Sequence, residues 1–198
     1  MEALNGSFMS KFHIYTDGSA RFNPGPGGWG TVIMDEDESK ILFIESDTEE
    51  LVTNNRMELK AMLCALHYAE DHPKDYFIIY SDSAYVVNSC TQWIPKWALN
   101  GWRNSKKQEV ENIDLMKALY SHLSRDFPNF EVRKCSGHAG DIGNELADAA
   151  ATSTWSKFNS LIDTWDLTIE ETDMPESFLL HETKIKIKQM GDNWYPID

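Results

Sequence analysis

Tyr76-Phe-Ile-Ile-Tyr80, followed by Ser81-Asp82-Ser83, decides the fold. This apolar run is too short for a helix and fits a strand covered on both faces, the kind found in parallel sheets. Just before it, Leu59, Met62, Leu63, Leu66 and Tyr68 follow helical spacing to about Asp71, and Pro73 closes the segment. Before that helix the period is two. Phe12, Ile14 and Thr16 alternate with His13, Tyr15 and Asp17, and the turn region Asn23-Pro-Gly-Pro-Gly-Gly28 follows. Trp29–Met34, an acidic turn at Asp35–Glu38 and Ile41–Ile44 complete an expected antiparallel meander. A right-handed helical crossover from its third strand lays Tyr76–Tyr80 parallel to the first.

Working outward on the other side, Ser83 to Cys90 reads as a short helix. Gln92 to Lys107 is Trp-rich and moderately basic. Val110 to Ser124 is helical, with Ile113, Met116, Leu119 and Leu123 on one stripe. Phe130–Lys134 is a final strand, and Gly143 to Thr152 is a small-residue helix able to sit close to a sheet. The order predicts an α/β fold: a mixed five-stranded sheet, three antiparallel strands then parallel ones, flanked by helices. Leu161 to Glu171 and Phe178 to Met190 carry weak strand patterns, with Ile185 and Ile187 alternating with lysines. We divide the chain into a domain of residues 1–155 and a hairpin-like extension of residues 156–198.

Composition narrows the function. The 198 residues are 41% hydrophobic and 25% charged, enough apolar material for a core. No run of about 18 apolar residues exists, so no membrane partner is expected. Met1 to Lys11 lacks the apolar stretch of a signal peptide. Three scattered cysteines (Cys64, Cys90, Cys135) form neither a metal motif nor a disulfide framework and suit a reducing, cytoplasmic setting. The net charge of −14 is spread over both parts of the chain. A nucleic-acid partner therefore requires local basic groups, or a metal that supplies positive charge.

Four acids, Asp17, Glu58, Asp82 and Asp148, each have a bland reading. Asp17 is an ordinary turn former in Thr-Asp-Gly-Ser. Glu58, three residues after Asn55, can complete a capping box. Asp82, between a strand and a helix, can be an N-cap. Asp148 can lie on a solvated helix face. Together they weigh more. Asp17 and Asp82 lie on strands expected to be parallel neighbours, Glu58 starts the crossover helix, and Asp148 lies on the closing helix. Carboxylates converging on one spot repel unless cations neutralise them, and oxygen ligands of this kind suit Mg²⁺ or Mn²⁺. Two such ions roughly 3.5–4 Å apart are a usual device for in-line phosphoryl displacement.

With these residues in place, the sequence resembles type I ribonuclease H from about Phe12 to Thr154. The resemblance rests on Tyr15-Thr-Asp-Gly-Ser19 followed by Asn23–Gly28, Thr53-Asn-Asn-Arg-Met-Glu-Leu59, Tyr80-Ser-Asp-Ser83, Trp93-Ile-Pro-Lys-Trp97 with Asn100-Gly-Trp102, and Ser136-Gly-His-Ala-Gly140 with Asn144–Asp148. It implies an enzyme that cuts the RNA strand of RNA–DNA hybrids with two Mg²⁺ ions, Mn²⁺ being the alternative. Asp17, Glu58, Asp82 and Asp148 match the family's metal-binding carboxylates. By resemblance, one ion on Asp17 and Asp82 activates water. The other, on Asp17, Glu58 and Asp148, stabilises the leaving 3′-oxygen, giving 5′-phosphate and 3′-hydroxyl products. His138 matches a mobile-loop histidine that aids proton transfer or product release.

The resemblance also implies a hybrid-binding surface. Asn23, Asn54 and Asn55 match positions along the minor groove, where the 2′-hydroxyl is sensed, and Gly18 and Ser19 are further expected substrate-binding residues. Thr53 and Asn112, assisted by Ser105, match a grip on a DNA phosphate, and Tyr85 and Trp93 match an aromatic channel under the DNA sugars. Of the Trp93 and Trp97 pair, Trp93 is the expected contact. The chain departs from many relatives after Trp97, where Ala98-Leu99-Asn100 replaces a basic cluster, and at Ala84, where some carry a longer polar side chain. Lys96, Arg103, Lys106 and Lys107 remain, offset by Glu109 and Glu111, so modest affinity and a shallow salt slope are expected. No separate N-terminal hybrid-binding domain is expected within 11 residues. The expected state is a monomer, with a dimer through the C-terminal segment left open. Two alternatives remain: a nuclease of this fold acting on DNA, and a non-catalytic hybrid-binding module. The intact carboxylate set argues against the second.

Overall fold

A computed structural model describes residues 8–137, 140–169, 186–190 and 193–197. Within them run the strands β1 (Lys11–Ala20), β2 (Gly25–Asp35), β3 (Lys40–Val52), β4 (Tyr76–Ser81), β5 (Phe130–Lys134), β6 (Thr168–Ile169), β7 (Lys186–Met190) and β8 (Asn193–Ile197). The helices are α1 (Asn54–Asp71), α2 (Ala84–Asn88), α3 (Ile94–Leu99), α4 (Ile113–Leu123), α5 (Ile142–Ala151) and α6 (Trp155–Trp165). A π-helical turn, Ser89–Trp93, joins α2 to α3.

The main sheet runs β5-β4-β1-β2-β3-β6. β1, β2 and β3 form the antiparallel meander, and β4 lies parallel to β1 with Tyr15 opposite Tyr80. β5 adds in parallel to β4. These are the five expected strands. The extension contributes a sixth, the two-residue β6 beside β3.

Alternation along β1 gives each face its own core. Ile14 joins α1 and α4 in one cluster, where Leu59, Met62, Leu66, Phe77, Ile79 and Leu119 are fully buried. Tyr15 joins α5 and α6 in the other, with Val32, Met34, Ile41, Leu146 and Phe158. Each such side chain stabilises the fold by roughly 1.5–3 kcal/mol, and the two faces together make β1 and β4 rigid. Asp17 lies within β1 and Asp82 directly follows β4, so these two strands place both carboxylates.

The extension differs in part from its reading. Of Leu161 to Glu171, expected as strand, the described residues are helical as far as Trp165 and extended at Thr168–Ile169, and residues 170 and 171 lie outside them. Trp155, Phe158, Ile162 and Trp165 recur at three- and four-residue spacing, and Phe158 and Ile162 are buried against the sheet. That burial outweighs the β-branched residues near Leu167. β7 and β8 pair antiparallel as a hairpin. Of the weak strand pattern read from Phe178 to Met190, residues 178–185 lie outside the described residues and Lys186–Met190 is β7.

Candidate active site

Local chemistry disposes of three bland readings first. Asp17 sits inside β1, only 9% exposed, and is no turn residue. The N-cap of α1 is Thr53, whose Oγ1 accepts from the Arg56 N–H at 3.3 Å, so Glu58 stands beyond the capping position. The N-cap of α2 is Ser83, whose Oγ accepts from the Val86 N–H, which leaves Asp82 uncommitted. Asp148 is half-exposed on α5, as the fourth bland reading has it.

Two glycines set how closely these elements approach. A Cβ on Gly18 would stand 2.2 Å from the Glu58 backbone nitrogen. With no side chain there, α1 seats directly on β1 and Glu58 comes beside Asp17. Gly30 pairs with Asp17 across the sheet, and a Cβ on it would stand 2.7 Å from the Ala147 carbonyl oxygen. Its absence lets α5 lie against β2, carrying Asp148 toward Asp17.

Asp17, Glu58 and Asp82 each place one carboxylate oxygen within 4.8 Å of the other two. Burial raises the Asp17 pKa to about 7, aided by the charges of Asp82 and Asp148. Burial, with Asp17 and Asp82, pushes Glu58 up to about 9. Glu58 Oε2 is buried with no hydrogen-bond partner. Buried polar atoms are seldom orphaned, and a cation is what a cluster of acceptor-only oxygens lacks. The donor set thus fits a hard divalent ion. Asp148 stands apart from the three: its Oδ2 accepts from Lys157 Nζ of α6 at 2.6 Å, although its charge reaches Asp17. His138 lies outside the described residues; Gly137 and Gly140 beside it have φ of 62° and 107°.

The expected substrate residues fall into two groups. Near the β1–β2 turn, Asn23 Oδ1 accepts from the Asn54 N–H at 2.9 Å and Asn54 Oδ1 accepts from the Ala20 N–H. Ser19 is half-buried on β1, and Asn55 is exposed on the first turn of α1. At the other end of that turn of α1, Asn112 Nδ2 donates to the Tyr85 hydroxyl at 3.1 Å, and Arg56 Nη1 donates to Asn112 Oδ1 at 3.3 Å. Tyr85 meets Trp93 edge-on at 6.0 Å. Trp97 packs against the core. Ser105 is exposed on the turn between Arg103 and Glu109.

Two residues escaped the reading of the sequence. Arg56 braces Asn112 and forms a two-pronged pair with Asp114, at 3.0 and 2.7 Å. It stands inside the Thr53–Leu59 motif, so its position was visible and its partners were not. Lys157 left no local signal, because its partner belongs to another helix.

Comparison with known proteins fits this geometry. The RNase H family model matches residues 9–156. A ribonuclease H of Syntrophomonas wolfei is 43% identical over 145 residues, covering 72% of this chain and 94% of its own length. The solution structure of the PFV RNase H domain superposes with a TM-score of 0.64 at 28% identity, over 73% of this chain and 93% of that one. The foamy viral protease–reverse transcriptase, solved in complex with an RNA/DNA hybrid, shares the fold (TM-score 0.62, 22% identity, 77% of this chain and 21% of that one). With the family model spanning most of its length and a relative at this level of identity, the chain belongs to the ribonuclease H family and is a ribonuclease H enzyme.

Proposed function

We propose that this chain hydrolyses the RNA strand of RNA–DNA hybrids at a divalent-metal centre held by Asp17, Glu58, Asp82 and Asp148, leaving 5′-phosphate and 3′-hydroxyl ends. The observation that carries this reading is the meeting of three carboxylates within 4.8 Å of one another, one with an orphaned buried oxygen. Two Mg²⁺ ions, or Mn²⁺ in their place, bound there would supply Lewis acidity at the scissile phosphate.

The chain's own residues do the rest. The metal-free cluster repels an anionic phosphate, so substrate and cation are drawn to the site together. Asn23 and Asn54 commit their side-chain oxygens to backbone N–H groups. What each can offer a ribose 2′-hydroxyl is its Nδ2 donor, and DNA gives that donor no hydroxyl to meet. Asn55, Gly18 and Ser19 continue this edge. Asn112 is held between Arg56 and Tyr85 before substrate arrives, which favours a grip on one DNA phosphate with Thr53 and Ser105. Tyr85 and Trp93 offer faces to the sugars. His138, between two glycines with positive φ, serves proton transfer or product release.

We assign the catalytic domain to residues 1–155 and treat residues 156–198 as an extension. The working state is a monomer in the cytoplasm. Among the described residues no helix is long and apolar enough to cross a membrane, and the three thiols are buried and unpaired.

The test is a strand-labelled RNA–DNA hybrid incubated with Mg²⁺, Mn²⁺ or EDTA, beside an all-DNA duplex. Cleavage of the RNA strand alone, dependent on metal and lost in Asp17→Asn and Asp82→Asn, is expected. Near-normal cleavage by either variant, or equal cutting of the DNA duplex, overturns the reading.

A further inference from the structure

We infer that Lys157 is a built-in cation on Asp148, one that a divalent ion must displace to use this carboxylate, and that it thereby sets the metal concentration at which the site fills. The inference rests on the proposed role of Asp148 as a metal ligand.

The contact is direct, with Lys157 Nζ 2.6 Å from Asp148 Oδ2. It is also imposed by the backbone. Three residues separate α5 from α6, and the link is pinned by Thr152 N–H to the Asp148 carbonyl and Thr154 N–H to the Ala149 carbonyl. Phe158, the next residue, is fully buried against the sheet and fixes the first turn of α6. Lys157 therefore stands over Asp148 by the geometry of two docked helices.

A lysine is ill-placed there on local grounds. The first turn of a helix carries the positive end of its dipole and favours acids, yet α6 has no acid in that turn. What offsets the mismatch is Asp148 across the link. The positive charge is also felt at Asp17, whose ionised form it favours. Asp17, Glu58 and Asp82 form the close group while Asp148 is turned to the ammonium. The family match ends at residue 156, so Lys157 belongs to the part of this chain beyond it.

Both side chains of the pair are partly exposed, 41% for Lys157 and 44% for Asp148, so an incoming ion can exchange with the ammonium. An exposed pair of this kind changes an equilibrium by about two- to fivefold. The test is calorimetric titration of Mg²⁺, with Mn²⁺ followed by electron paramagnetic resonance, into the full chain without substrate. Wild type, Lys157→Met, Lys157→Arg and Asp148→Asn are compared. Lys157→Met keeps the aliphatic stem and should tighten the weaker metal site about two- to fivefold. Lys157→Arg should behave as wild type, and Asp148→Asn should weaken or abolish that site. If Asp148→Asn weakens binding while Lys157→Met leaves it unchanged, the role of Lys157 is overturned and the ligand reading stands. If Asp148→Asn leaves metal binding unchanged, the ligand reading fails and takes this inference with it.

Discussion

Asp17→Asn removes one negative charge from the cluster and keeps the shape of the side chain, so it separates the electrostatics of the site from its packing. Asp17 is almost wholly buried, and burial with Asp82 and Asp148 nearby lifts its pKa from 3.8 to about 7. Below the lower value the group is protonated in folded and unfolded chains alike, and the substitution should change little. As pH rises between the two values, the unfolded chain releases the proton while the folded chain retains it, so metal-free stability falls. Above about 7 the folded protein carries the full penalty. At about 1.4 kcal/mol per pKa unit, a gap of about three units amounts to roughly 4 kcal/mol. Rearrangement of Asp82 and Asp148 absorbs part of it, so a gain of roughly 2–4 kcal/mol is expected for Asp17→Asn at about pH 8.5 in EDTA, shrinking toward zero near pH 4. Urea unfolding of both proteins at these two pH values measures it. Saturating Mg²⁺ should then close the gap by stabilising wild type, because only a folded site that binds the ion gains. An equal or lower urea midpoint for Asp17→Asn at about pH 8.5, or a gain undiminished near pH 4, refutes the reasoning.

Gly18→Ala places a methyl group 2.2 Å from the Glu58 nitrogen, so α1 must lift from β1. A loss of about 1–3 kcal/mol in urea unfolding is expected, with hydrolysis falling further than stability alone explains. Arg56→Ala breaks the pair with Asp114 and frees Asn112. Because that pair is largely exposed, stability should move by less than about 1 kcal/mol, while KM for the hybrid rises severalfold and kcat is kept. Phe158→Ala empties a fully buried position under α6 and should cost about 3–5 kcal/mol in the same unfolding assay; a loss of a few tenths would mean α6 is not docked.

The parts of this molecule that could be read from its sequence are those where chemistry repeats at short range. Tyr76–Tyr80 declares itself because a strand covered on both faces has no polar face to show. The crossover helix declares itself by period, and Glu58 is placed by the helix that bears it. Gly18 and Gly30 convert that order into a site, since they bring α1 and α5 within reach of Asp17. The helix α6 was legible too, in Trp155, Phe158, Ile162 and Trp165. A strand reading begun at Leu161 cuts that repeat in half and meets Asp166, which ends the helix with φ of 51°. The pairing of Asp148 with Lys157 was legible by no period. Nine residues apart, the two are neighbours only because three linking residues turn one docked helix onto the next. Helical neighbours recur at three and four positions, and strand neighbours at two. A contact made across a link obeys neither rule. Lys157 falls one residue past the stretch that the family model matches, so it can be changed without altering the carboxylates of the centre.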